Sequence, residues 1–316
     1  MKLVVITGCL GFIGSHLTEE CLGMGWKVLG IDNNTYAANG NFLNRLAINS
    51  NFSFLKMDIC DLKELPDCDY VINTAAETHV GNSIIDSEDF LRSNISGVKN
   101  LLDLIKNKPQ NVQARPVLFQ FSTDEVYGDI TNGHHQESEP LNPSNPYSAS
   151  KAGADMLITA WARTYDINYV IFRPTNNYGI RQYPEKLIPL SVKLLMRGKK
   201  IRLHDKGEPT RTWLHVNDTV KAAITIIENG VTNEVFNASG GFEQKNWVTV
   251  KKIIDSYYDK EVNWKEYVDL SYSRQGQDVR YSLDDTKLRN LGWSPTESFD
   301  REIASIVNYY EKHFIW

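Results

Sequence analysis

Apolar residues in this chain come in short, nearly unbroken runs: KLVVIT, KVLGID, FSFLKMD, DYVINTA, VLFQFS and NYVIFRP. The first is followed by a longer helix-like stretch, GFIGSHLTEECLGMG. Such runs, rich in Val, Ile and Phe, predict strands buried on both faces. Their alternation with helical stretches predicts parallel crossovers, hence an α/β protein with a doubly wound parallel sheet and helices on both faces. Ligands of such sheets bind at the carboxyl ends of the strands. After Arg173-Pro174 the rhythm breaks into Pro-containing loops and helices expected near 187–197, 248–259 and 299–314. The reading is a first domain over 1–173, to which a segment about 212–238 returns, and a smaller mixed α/β domain over most of 174–316.

Composition narrows the function. The chain has 316 residues, 41% hydrophobic and 23% charged, with a formal net charge of -5 and no basic run. It offers no general attraction to nucleic acid or an anionic membrane, so neither is an expected partner and any anionic ligand must be held by local groups. Cys9, Cys21, Cys60 and Cys68 show no CxxC spacing and no accompanying His cluster, so no metal site and no disulfide framework is expected. MKLVVITGC imitates a lipoprotein signal, but too few residues precede Cys9 for a charged region and an apolar stretch. No apolar run reaches the ~20 residues of a membrane span. The expected compartment is the cytoplasm.

Gly8, Gly11 and Gly14 fall between the first strand and the first helix. Glycine there allows a tight turn and close approach of a pyrophosphate to the free N–H groups of the helix start. KVLGID then ends in Asp32, where a carboxylate accepts hydrogen bonds from both ribose hydroxyls and repels a 2'-phosphate. The expected cofactor is NAD. Downstream, NPYSASKAGADML predicts a helix entered at Asn145-Pro146, with Tyr147 and Lys151 one turn apart on a shared face. A phenol is a poor base at neutral pH, but an ammonium and an oxidised nicotinamide nearby favour the phenolate. Finally FSTDEVYG ends a buried strand in a hydroxyl and two adjacent carboxyl groups, Thr123, Asp124 and Glu125. In a strict strand Asp124 and Glu125 point to opposite faces, so serving one substrate requires the chain to leave extended geometry there. Beside a redox cofactor, two carboxyl groups suit an elimination: one takes a proton from carbon, the other protonates a departing hydroxyl.

The GxxGxxG spacing resembles the short-chain dehydrogenase/reductase superfamily, whose Rossmann-type sheet is the fold implied here. In its extended members positions equivalent to Phe12, Ile13, Asp58, Ile59, Ala75 and Ala76 line the cofactor; Asn33, Thr35 and Thr74 are implied with them. GCLGFIGSH, NTAAETHV, FSTDEVYGD, NPYSASKAGAD, RPTNNYG, YPEKLIP and RTWLHVND together resemble the nucleotide-diphosphate-glucose 4,6-dehydratases over nearly the whole chain. The adjacent Asp-Glu pair separates that family from relatives that only epimerise or decarboxylate. The resemblance implies a redox-neutral cycle. Tyr147 deprotonates the C4 hydroxyl, with Thr123 hydrogen-bonded to that oxygen; Glu125 removes the C5 proton; Asp124 protonates the C6 hydroxyl as it leaves; hydride returns at C6. The product is a 4-keto-6-deoxy sugar nucleotide. Thr78 is implied at sugar or nicotinamide, Ser93 at the cofactor and Asn177 near the nicotinamide. Asn176 and Lys186 are implied as holding the substrate, with Leu187 and Ile188 of the LIP turn. Arg211 would bind the diphosphate, and Asn246, Arg274, Arg202, His204 and Asp278 belong to the implied substrate set.

Two loops depart from the family pattern. HVGNS stands where many members read HVDRS, and RQGQDVRY where they read RPGHDRRY. Lost charge and a missing His leave base and sugar selectivity open among dTDP-glucose, UDP-glucose and UDP-N-acetylglucosamine, the last by 4,6- or 5,6-dehydration. A sugar-nucleotide 4-epimerase or decarboxylase of the same superfamily is the other reading. The family also implies a homodimer through a four-helix bundle of segments near 86–106 and 147–164.

Overall fold

The computed structural model describes residues 1–108, 115–273 and 278–314. Its strands are β1 (Leu3–Thr7), β2 (Lys27–Asp32), β3 (Phe52–Lys56), β4 (Tyr70–Asn73), β5 (Val117–Phe121), β6 (Tyr169–Pro174), β7 (Asn176–Tyr178), β8 (Ile201–Arg202), β9 (Thr210–His215), β10 (Glu234–Ala238), β11 (Phe242–Lys245) and β12 (Val268–Asp269). Seven form one sheet in the order β10-β6-β5-β4-β1-β2-β3, parallel at every neighbouring pair. This is the doubly wound, Rossmann-like sheet that the apolar runs predict.

Successive side chains of each strand divide between two cores. Val4 and Ile6 join Leu17 of helix Phe12–Gly23 and Ile226 of helix Val216–Glu228. Val5 faces the other way, onto Leu101 of helix Val98–Lys106 and Ile158 of helix Pro146–Tyr165. Each fully buried aliphatic side chain contributes roughly 1.5–3 kcal/mol of transfer free energy, and burial on both faces explains why these strands carry no polar alternation. A third core lies among helices Leu187–Met196, Asn246–Tyr258 and Phe299–Lys312, close to the helices expected from sequence.

The chain crosses between the two parts more often than its pattern suggests. The returning segment is narrower than 212–238: helix Val216–Glu228 and edge strand β10 join the large sheet, whereas β9 pairs with β7 and β11 in a separate three-stranded sheet. The cause is that Trp213 packs into the third core and its neighbour Leu214 into the first, so β9 belongs to the seam. Leu288 and Trp293, far along the chain, also pack into the first core.

Two local devices position the site. Helix Pro146–Tyr165 opens with a capping box: Asn145 accepts from the Ser148 N–H at 2.9 Å, Ser148 Oγ accepts from the Asn145 N–H at 3.1 Å, and Pro146 takes the first turn. In the C-terminal part the buried Tyr310 hydroxyl accepts from the Gln182 N–H at 2.7 Å and donates to Gly179 O at 2.9 Å, bracing the loop that precedes Lys186. Tyr310→Phe leaves the Gln182 N–H buried without a partner, so urea unfolding is expected to show a loss of about 1–3 kcal/mol.

Candidate active site

Along the carboxyl ends of the central strands runs a cleft of about 330 Å³. At one end the glycine turn closes on itself, with the Gly11 N–H donating to Gly8 O at 3.0 Å. A Cβ on Gly14 would stand 2.1 Å from Gly8 O, and one on Gly8, at φ +70°, would stand 2.6 Å from Ala75 N, so both positions require glycine. Gly11, the N-cap of helix Phe12–Gly23, offers no side-chain acceptor, which leaves the first-turn N–H groups free for an anionic ligand. Asp32 ends β2 with its carboxylate accepting from the Leu10 N–H at 2.9 Å and the Asn34 N–H at 2.7 Å. These features fit NAD: a donor cradle for a pyrophosphate and a fixed acceptor for ribose hydroxyls. All cofactor residues expected from sequence line this one cleft: Gly8, Gly11, Phe12, Ile13, Gly14, Asp32, Asn33, Thr35, Asp58, Ile59, Thr74, Ala75, Ala76, Thr78, Ser93, Tyr147, Lys151 and Asn177.

Strand β5 stops at Phe121, and Asp124–Tyr127 winds into a single 3-10 turn capped by Thr123, whose hydroxyl accepts from the Glu125 N–H at 3.3 Å. The departure from extended geometry that the DE pair requires is therefore present, and both carboxyl groups line the cleft with Tyr147 and Lys151. Burial, reinforced by the Glu125 charge, lifts Asp124 to about 7. One Asp124 oxygen accepts from Thr123 Oγ1 at 3.1 Å; the other is buried without a partner. Burial also raises Glu125, against the pull of the Arg211 cation and of Asn145, whose Nδ2 lies 3.4 Å away. An acid that keeps its proton near neutrality thus stands next to a second buried carboxyl group, whose upward shift a cation opposes.

Burial, followed by the charge of Glu125, drives the Tyr147 hydroxyl above its ordinary value, with Asp124 adding to the effect. Lys151 is pulled down to about 8 by burial, against the opposing charge of Asp155, and donates its hydrogen bond to Phe121 O at 2.6 Å. Burial and the Glu125 charge thus keep Tyr147 protonated, and the positive ring of an oxidised nicotinamide is a charge that would favour its ionisation.

On the substrate side Asn176 and Lys186 line the cleft; Lys186 donates to Thr78 O at 2.8 Å and so spans the two parts. Leu187 and Ile188 give their side chains to the third core. Arg211, Asp278, Arg202, His204 and Asn246 lie outside the cleft lining: Arg211 donates to Asp278 O at 3.2 Å, and Arg202 and His204 pack on Tyr272. Polar atoms of Asn176, His204 and Asn246 are buried without partners, acceptors and donors that a ligand would satisfy. Arg274 lies outside the described residues. Sequence reasoning missed Glu77, Tyr183 and Glu185 of the cleft lining, bridged by Tyr36, which donates to Glu77 at 3.2 Å and meets Tyr183 edge to face at 5.2 Å. Tyr183 and Glu185 stand inside YPEKLIP, so that signal was present. It also missed Asn94, in the π-helical turn Leu91–Gly97, which joins Glu77 O at 3.0 Å to Ser150 Oγ at 2.9 Å.

The Asp124 shift fixes a stability trend. Its native value is raised from 3.8, so its contribution is full below pH about 4 and is lost as pH rises through about 7. Asp124→Asn is therefore expected to stabilise the protein by on the order of 2 kcal/mol at pH 8 and to lose that advantage at pH 4, read from urea unfolding at the two pH values.

The geometry is shared with known proteins. The family profile described as GDP-mannose 4,6 dehydratase matches residues 5–306. The chain is 36% identical to a probable dTDP-glucose 4,6-dehydratase of Sinorhizobium fredii, over 99% of this chain and 94% of that one. It is 38% identical to the dTDP-glucose 4,6-dehydratase of Haemophilus influenzae, over 98% of each. A dTDP-glucose 4,6-dehydratase of Streptomyces venezuelae, solved with NAD bound, has the same fold at a TM-score of 0.91 and 34% identity, covering 98% of this chain and 97% of that one. Likeness over the full length, joined to a cleft with a dinucleotide turn at one end and an acid-base turn beside it, means that the chain belongs to the nucleotide-diphosphate-sugar 4,6-dehydratase family of the extended short-chain dehydrogenases/reductases.

Proposed function

We propose that this chain converts dTDP-glucose to its 4-keto-6-deoxy derivative, with Thr123, Asp124, Glu125, Tyr147 and Lys151 as the catalytic set. The activity of the family is NAD-dependent 4,6-dehydration of a nucleotide-diphosphate sugar, a hydro-lyase reaction. The observation that carries the residue assignment is the capped turn that puts Asp124 and Glu125 in one cleft with Tyr147 and Lys151.

Bound NAD supplies reversible hydride transfer, so the cycle consumes no external reductant. Tyr147 takes the proton of the C4 hydroxyl while Thr123 orients that oxygen. The buried Lys151 cation offsets the developing phenolate charge. Glu125 removes the proton from C5, made acidic by the C4 ketone, and Asp124, protonated up to pH about 7, delivers a proton to the C6 hydroxyl as it leaves as water. Asn176, Lys186 and Arg211 hold sugar and diphosphate, Arg211 with a charged fork suited to phosphate. Residues 1–173 chiefly hold the cofactor and 174–316 chiefly the substrate.

The chain further works as a homodimer in the cytoplasm. The segments assigned to the dimer face expose Leu91 at 48% and Met156 at 65%, apolar side chains suited to a four-helix bundle. No helix among the described residues is long and apolar enough to cross a membrane.

Purified protein incubated with dTDP-glucose, UDP-glucose and UDP-N-acetylglucosamine in turn, without reductant, is expected to release one water from dTDP-glucose and give a 4-keto-6-deoxy product by mass spectrometry and NMR. Preferential turnover of either uridine nucleotide would replace the substrate, and a 5,6-alkene would move the final step. Tyr147→Phe is expected to lower kcat by about 10²–10⁴-fold; an unaltered rate would remove every catalytic role given above. Light scattering is expected to give a dimer that Met156→Glu converts to monomer.

A further inference from the structure

Beneath the catalytic turn lies a polar network that the reaction scheme does not use. Asp155 and Arg173 form a buried ion pair, their side chains 2% and 5% exposed, with Arg173 Nε donating to Asp155 Oδ2 at 3.0 Å. The same oxygen accepts from Ser122 Oγ at 3.0 Å. Across the guanidinium, Nη1 donates to the Tyr127 hydroxyl at 2.5 Å, and the guanidinium carbon lies 4.7 Å from the centre of the Tyr127 ring. Tyr127 in turn donates to Asn237 at 2.9 Å on β10.

Ser122 and Tyr127 bracket the segment that carries Thr123, Asp124 and Glu125, and one ion pair holds both of its ends. The other attachments of that pair are equally placed. Asp155 is one helical turn beyond Lys151 on helix Pro146–Tyr165, the helix that carries Tyr147. Arg173 is on β6, immediately before the Pro174–Asn177 stretch of the cleft lining. A buried pair of this kind is seldom worth its desolvation as stability alone, whereas its geometry is specific.

We propose that Asp155 and Arg173 are positioning residues that hold the Ser122–Tyr127 segment, with Asp124 and Glu125, in register with Tyr147 and Lys151. Oxidation at C4 uses Tyr147 and Lys151 of the helix with Thr123 at the start of the turn, and loss of water uses Asp124 and Glu125 of the turn; the pair couples the two. This rests on the dehydratase reading of the site. Misplacement of a reacting group by about 1 Å costs on the order of 100-fold.

The test uses the full-length holoenzyme with its sugar nucleotide, Ser122→Ala and Asp155→Asn. Ser122→Ala removes the side-chain bond that ties one end of the turn to Asp155 and leaves the helix, the ion pair and the Ser122 N–H bond to Phe172 O in place. It is expected to stay folded, with an unfolding midpoint lowered by no more than the one lost hydrogen bond, to keep its cofactor content and KM, to lose about 10-fold in kcat, and to accumulate reduced nicotinamide absorbance during turnover because oxidation outruns elimination. Asp155→Asn is expected to lose on the order of 100-fold. If Asp155→Asn does not fold, Ser122→Ala decides alone. A folded Ser122→Ala with wild-type kcat overturns the proposal, and so does a fall in kcat without that absorbance or one that tracks loss of folded protein. A wild-type enzyme that releases no water from any of the three sugar nucleotides fails the dehydratase reading instead, a result separate from either variant.

Discussion

Asp124 and Glu125 are held next to each other in a place that disfavours charge on both, and much of the surrounding architecture answers that constraint. Desolvated neighbouring carboxyl groups resist ionising together, so one keeps its proton while the other needs support from outside the pair. Thr123 caps the turn and bonds Asp124, Asn145 reaches Glu125 from the start of the next helix, and the Arg211 charge comes from β9. Three separate parts of the chain therefore converge on two adjacent residues. The resulting asymmetry is what an elimination requires, since one group must donate a proton and the other accept one.

The same carboxyl groups act on Tyr147. Burial and, after it, the Glu125 charge oppose ionisation of the phenol, with Asp124 adding to them once it ionises. A cationic cofactor ring would oppose that effect, because it would bring positive charge into a site where Coulomb interactions are weakly screened. The contacts at the mouth suit a cofactor that is restored in each cycle: Tyr36 on Glu77 and Tyr183, and Lys186 on Thr78, join the dinucleotide half to the C-terminal part across the cleft.

Strength of local signal separates what was legible from what was not. The glycine turn, Asp32, the Tyr147–Lys151 helix and the DE turn all lie within strand-turn-helix units of a few residues, where spacing dictates geometry. The boundary of the returning segment was less legible, because β9 is divided by Trp213 and Leu214 between two cores, and that division depends on helices far away in sequence. Asn94 was missed for a similar reason: its partners Glu77 and Ser150 come from distant elements, and only the π-helical turn brings it between them.

The sequence alone determined the fold class, the dinucleotide turn and the preference for NAD, and it singled out the candidate acid-base residues, since each signal is a residue type at short spacing. Tertiary structure decided the protonation of those residues and the network that holds them. Whether Asp124 is an acid near pH 7, whether Tyr147 rests protonated, and whether Asp155 and Arg173 meet beneath the turn all depend on desolvation and on contacts between strands and helices far apart in the chain. No local window contains the distances that set those energies.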